Sequence, residues 1–176
     1  MSTIGGGLMF KVITIIIFKF FCLRLGVKGN ILFVNSRKVH WHARHVFNHV
    51  DVNLYRCTTL HTVYRKIRHE VWHLVQLRDN REWLLWFERI QPWYTERGLG
   101  HLFYTFSLPE IEAHLFEIGV IPPNIFDTLS ACELVAAHER GALFRVLVPH
   151  VRQYLCNNHL ERFEEYLGLN VRLPWE

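Results

Sequence analysis

The sharpest pattern with chemical potential is His69-Glu70-Val71-Trp72-His73, an H-E-x-x-H within a stretch of helical periodicity. Residues four apart on a helix stand one turn above each other. Two imidazoles so placed could hold zinc while Glu70 deprotonates a metal-bound water, which is hydrolase chemistry of the metallopeptidase kind. At about 100° per residue, however, His69 and His73 fall opposite the apolar stripe of Leu60, Ile67, Val71 and Leu74, beside Arg65 and Gln76. The pair is therefore expected on a solvated face. The usual continuation to a third ligand would need Gly at Gln76 and His at Asp79. A distant carboxylate such as Glu110, Glu112 or Glu117 could substitute, but no spacing singles one out. The expectation is no cofactor and no catalytic residue, with zinc on His69 and His73 and Glu70 as base the alternative.

His42, His45 and His49 form a second cluster on one arc of an expected helix. Neighbours could chelate in pairs, but the three span roughly 10 Å along a helix axis, too far for one ion. A polar or pH-sensitive face is the expectation; a zinc module with Cys57 and His61 would match no standard finger. There is no G-x-S-x-G, phosphate loop or dinucleotide fingerprint. The balance favours a non-enzyme.

The elements that must carry these residues follow from periodicity. Val12, Ile13, Ile15, Ile16 and Ile17, with Thr14, make a β-branched run that predicts a strand, paired with residues 31–34 across Gly29-Asn30. From Ser36, read as a cap, the period is helical through Val39, Ala43, Val46 and Val50. The clearest helix covers about residues 59–78, with Leu60, Val63, Tyr64, Ile67, Val71 and Leu74 on one face. Another follows Asp79 and should stop at Pro92.

Boxes at Ser107/Glu110 and Ser130/Glu133 open two more helices, ended by Gly119 and Gly141. A helix kinked at Pro149 and a last one over residues 159–167, ended by Gly168, complete the body, and residues 169–176 are expected to be extended. The fold class is thus mainly α: a compact helical domain with a small amino-terminal β-hairpin. One domain spans residues 1–176, with 1–35 the apolar hairpin segment and 36–176 the helical body.

The chain has 176 residues, half of them apolar, and a formal charge of +4 scattered along it. That distribution argues against direct nucleic-acid binding. Four separated cysteines point to reduced thiols inside a cell. Lys11, Lys19 and Arg24 interrupt the apolar run 9–25, which is short of the roughly 20 residues a spanning helix needs. A secretory leader would lack a clean cleavage site, and contact of residues 9–25 with a membrane stays open. Of the six tryptophans most should be core, whereas Trp72 lies off the apolar stripe, as an exposed partner anchor would.

The run from Leu160 to Glu176, with Leu160, Arg162, Phe163, Leu167, Gly168, Val171 and Pro174, resembles the closing segment of the P-zero silencing suppressors of poleroviruses. Ile121, Pro122 and Asp127 add a looser similarity, and together they cover about a third of the chain. The resemblance implies a viral accessory protein that suppresses host RNA silencing. It would carry an F-box-like motif, Leu-Pro-x-x-Leu followed by a tryptophan, which recruits a ubiquitin-ligase scaffold against Argonaute in the cytoplasm of an infected cell. The nearest counterpart is Leu60-His61-Thr62-Val63-Tyr64 with Trp72, where His61 replaces Pro and Tyr64 the second Leu; Leu108-Pro109 has Glu112 in the apolar place. Leu60, Tyr64 and Trp72 are the implied partner-binding residues. All five lysines, Lys11, Lys19, Lys28, Lys38 and Lys66, precede residue 67, which suits an adaptor that must avoid its own ubiquitination.

Overall fold

A computed structural model describes residues 7–170 of the chain, which is mainly α, with seven α-helices and one small three-stranded sheet among the described residues. The described residues group into two compact units, one of residues 7–81 with 116–118 and one of residues 82–115 with 119–170.

The first unit opens with α1, Leu8–Leu25. The strand expected over residues 12–17 is corrected here: the β-branched run is helical. Strand propensity is worth only a few tenths of a kcal/mol per residue, and burial outweighs it. Phe10, Thr14, Phe18, Phe21 and Cys22 recur at helical spacing and are buried, packing α1 against α2, Leu60–Asp79. The Thr14 hydroxyl is satisfied within the helix by donating to the Phe10 carbonyl at 2.7 Å. Gly26, at φ 65°, ends α1 in the left-handed region, and the Val27 N–H donates back to the Cys22 carbonyl at 3.0 Å.

The strands are β1, Asn30–Val34, β2, Ala43–Val46, and β3, His49–Asn53, in the order β1-β3-β2. β1 runs parallel to β3, and β2 antiparallel to it, so the hairpin is β2-β3 and not the one expected from residues 12–17 and 31–34. The helix expected from Ser36 to Val50 is likewise corrected to loop and strand. Asn53 supplies the physical reason. Fully buried, it donates through Nδ2 to the carbonyls of Ser36 and Trp41, while its Oδ1 accepts from the N–H groups of Ser36 and Tyr55. Ser36 is thereby tied to a strand end and does not cap a helix. Val50 and Val52 are fully buried, and the register sets Arg44 opposite Asp51, where they pair at 3.0 Å. Gly29 lies where α1, α2 and the β2-β3 turn converge: a Cβ there would meet Leu74 Cδ1 at 2.7 Å and the Asn48 carbonyl at 3.2 Å.

α2 forms as its periodicity predicts, with the Thr59 hydroxyl accepting from the Thr62 N–H at its start.

In the second unit α3, Arg81–Glu96, runs on through Pro92; the missing N–H and the crowding of its ring on the preceding turn cost about 3 kcal/mol, offset by the burial of Ile90 and Tyr94 on either side. α4, Gly100–Phe106, α5, Leu108–Glu117, α6, Ala131–Glu139, and α7, Leu143–Asn157, complete it, α7 containing Pro149. The last turn of α5 counts with the first unit. Ser130 makes no side-chain cap to α6, so that expected box does not form, but Gly141 at φ 66° does close the turn after α6. The core is aromatic: Tyr94 stacks on Phe103 at 4.9 Å and meets Phe144 and His138. Glu112 is buried and accepts the Ile125 N–H at 2.8 Å. Instead of an expected α-helix over residues 159–167 there is a single 3-10 turn, Glu161–Phe163, before Gly168 at φ 69°. The extended end expected for residues 169–176 lies largely outside the described residues, as do Val171 and Pro174 of the family resemblance.

Candidate functional site

The first unit concentrates its polar side chains around the middle of α2. His69 and His73 are 3% and 6% exposed and Glu70 is also buried, which corrects the solvated face expected for them. The inner stripe does face the core, as Val63, Ile67 and Val71 show with no exposure at all. The opposite side is also covered, because β2 packs against α2 and Phe116–Ile118 belongs to the same unit. Periodicity assigns one buried face to a helix; it has no means of announcing a second.

The two imidazoles stand edge to face with ring centres 5.0 Å apart, and His45 of β2 lies 5.8 Å from the His73 ring. His73 Nδ1 is 2.7 Å from Gln76 Oε1. An amide oxygen only accepts, so Nδ1 carries the proton and donates. His69 Nδ1 is 3.3 Å from Glu117 Oε2. That carboxylate, nearly removed from water, is also held by Arg65 Nη2 at 3.0 Å and by Lys66 Nζ at 3.1 Å from each of its oxygens. Next to it Arg68 donates through Nε to the Phe116 carbonyl at 2.7 Å and lays its guanidinium over the Phe116 ring at 4.5 Å. The result is a clasp that ties Phe116 and Glu117 to α2 through Arg65, Lys66 and Arg68, with His69 alongside.

Glu117 lies beside His69, and Glu112 is engaged with the Ile125 backbone. Imidazole and carboxylate are the donor types of a hydrolytic zinc centre. At Glu117 the charge setting opposes one. Two cations already compensate Glu117, so a divalent ion would enter against Arg65 and Lys66. The arrangement is built to bury a carboxylate.

The His42, His45 and His49 cluster is dispersed by the sheet. His49 pairs with Asp51 at 3.5 Å, His45 faces His73, and His42 offers its carbonyl to the Cys57 thiol at 3.3 Å. Burial pushes the Cys57 thiol up to about 11, so it stays protonated at neutral pH and is a poor zinc thiolate, and His61 is exposed.

The implied partner-binding residues separate. Leu60 and Tyr64, one turn apart at the start of α2, are 44% and 41% exposed. Trp72 is 8% exposed and packs on Phe116 with ring centres 4.8 Å apart, so the exposed indole expected from its place off the stripe is corrected. What the sequence did not signal are the clasp on Glu117 and the four-bonded Asn53. A Lys-Arg-rich first half of α2 and a Glu after an apolar helix were the only cues to the clasp, and they are common.

No protein-family model matches the chain, and neither the curated proteins nor the solved structures yield a match.

Proposed function

We propose that the protein is a protein-binding adaptor of the viral silencing-suppressor kind, acting in an infected cell by presenting the start of α2 to a host ubiquitin-ligase scaffold, with Argonaute as the silencing component delivered. The observation that carries the reading is the exposure of Leu60 and Tyr64 on a helix whose middle, residues 69–76, is buried all round. Apolar side chains left half in water on a rigid helix are anchors available to a partner groove. They are also the positions that the F-box-like resemblance designates. Trp72, by contrast, serves this face from beneath, by packing the helix that bears it. The absence of lysine beyond Lys66 supports the same role.

The test is a leaf reporter of silencing with wild type, Leu60→Ala and Tyr64→Ala, each checked for solubility. Suppression by the wild type that both soluble variants lose is the expected result. A wild-type protein that never suppresses silencing, or soluble variants that suppress normally, would overturn it. A zinc hydrolase using His69, Glu70 and His73 is the competing reading, favoured by the burial of both imidazoles side by side and opposed by the cations around Glu117; metal content separates the two.

A further inference from the structure

α1 has two apolar faces, and only one of them is used by the fold. Phe10, Phe18 and Phe21 turn inward, while Leu8, Met9, Val12, Ile16, Phe20 and Leu23 are exposed, Leu8 and Leu23 at 81% and 84%. At 100° per residue these six cover an arc of about 120°, opposite the buried side chains. An uninterrupted apolar surface of this kind is not left in water without an occupant.

The charges say which occupant. Residues 1–50 contain seven Lys and Arg and no Asp or Glu; the acids begin at Asp51. On the helix, Arg24 is exposed at the edge of the apolar arc, so its stem can run along apolar surface with the charged head at the margin, whereas Lys11 falls on the inward side and holds its ammonium over the Phe33 ring at 5.8 Å. Lys19, which falls inside the arc by angle, turns its ammonium back to donate to the Gly29 carbonyl at 3.4 Å and leaves the apolar surface unbroken. A cation bordering an apolar stripe, in a segment that is basic and free of acids, complements a surface that is oily beneath and anionic above, which describes a bilayer with acidic headgroups. Spanning is not the mode, because no helix among the described residues is long and apolar enough to cross a membrane, and one side of α1 is consumed by packing on α2.

We propose that α1 lies in the plane of an anionic membrane surface, inserting Leu8, Val12, Ile16, Phe20 and Leu23 below the headgroups and setting Arg24 among them. This is a second surface, independent of Leu60 and Tyr64, and it would hold the protein at a membrane while the α2 face engages its partner.

Sedimentation of the full-length protein with phosphatidylcholine vesicles, with and without about 30% phosphatidylserine, tests it. Binding to the acidic vesicles, weakened by salt and nearly lost on neutral ones, is expected. Ile16→Asp combined with Phe20→Asp should lower the partition coefficient by about tenfold or more, and Arg24→Gln by about fivefold. Circular dichroism and melting should match wild type because the altered side chains are outside the core; should the double variant not fold, Leu23→Asp replaces it. Leu60→Ala should bind vesicles as wild type does, so failure of the adaptor reading leaves this one standing. Wild type that ignores acidic vesicles overturns the proposal, as does binding unaffected by the aspartates. Self-association that the aspartates abolish, without vesicle binding, also overturns it and assigns the face to a second copy.

Discussion

Replacing Trp72 with Ala separates a core role from a surface one by magnitude. The indole is 8% exposed, so nearly all of its surface is withdrawn from water, and it packs on Phe116 at 4.8 Å between ring centres. A buried tryptophan hides about 150 to 250 Å², and at about 25 cal/mol per Å², with a cavity left behind, its removal should cost roughly 3 to 5 kcal/mol. For a chain of this size each kcal/mol moves the melting temperature by about 2 to 4 °C, giving a fall of roughly 6 to 20 °C. Leu60→Ala, at a side chain left nearly half in water, should cost about 1 kcal/mol or less. Thermal melts of both variants followed by circular dichroism make the comparison. A Trp72→Ala protein that melts within about 2 °C of wild type would refute the packing argument and return the indole to the surface.

Three further outcomes follow from the same structure. Cys132 and Cys156 are exposed whereas Cys22 and Cys57 are buried with their thiols pushed up by burial, so a thiol reagent at pH 7.5 should modify two cysteines quickly and the other two only on unfolding; four equally fast reactions would contradict it. Burial holds His42, His138 and His150 below the ordinary 6.5. Unfolded, they would take up protons first, so the stability they contribute is present above about pH 6.5 and is lost as pH falls through that value towards their folded midpoints. NMR titration should place those midpoints under 6.5, and midpoints above it would reverse the sign. Because Arg65 and Lys66 already compensate Glu117, the purified protein should hold less than about half an equivalent of zinc; stoichiometric zinc lost in His73→Ala would promote the hydrolase reading.

Local chemistry was enough for some elements. α2 was legible because its apolar residues from Leu60 to Leu74 keep the 3.6 period for about four turns, and the stops at Gly119 and Gly141 were legible because each takes a positive φ that other residues resist. The mainly helical class follows from such signals. Where two local tendencies competed, only tertiary packing decided. Residues 12–17 have strand-forming side chains, yet the buried contacts of Phe10, Phe18 and Phe21 with the rest of the first unit exist only if the segment is helical. Residues 36–50 carry an apolar period that fits a helix, but the buried Asn53 gathers its four hydrogen bonds from Ser36, Trp41 and Tyr55 only if they are strand and loop.

The site divides in the same way. Spacing alone puts His69, Glu70 and His73 on one helix and sets Leu60 and Tyr64 one turn apart. Whether any of them meets water is a property of what covers the helix. The covering of α2 by β2 and by Phe116 and Glu117, more than forty residues downstream, buried the histidines and Trp72 and left Leu60 and Tyr64 outside. A one-dimensional period reports the preference of a face for apolar surroundings; which surroundings arrive depends on distant segments, and so only the folded chain decides it.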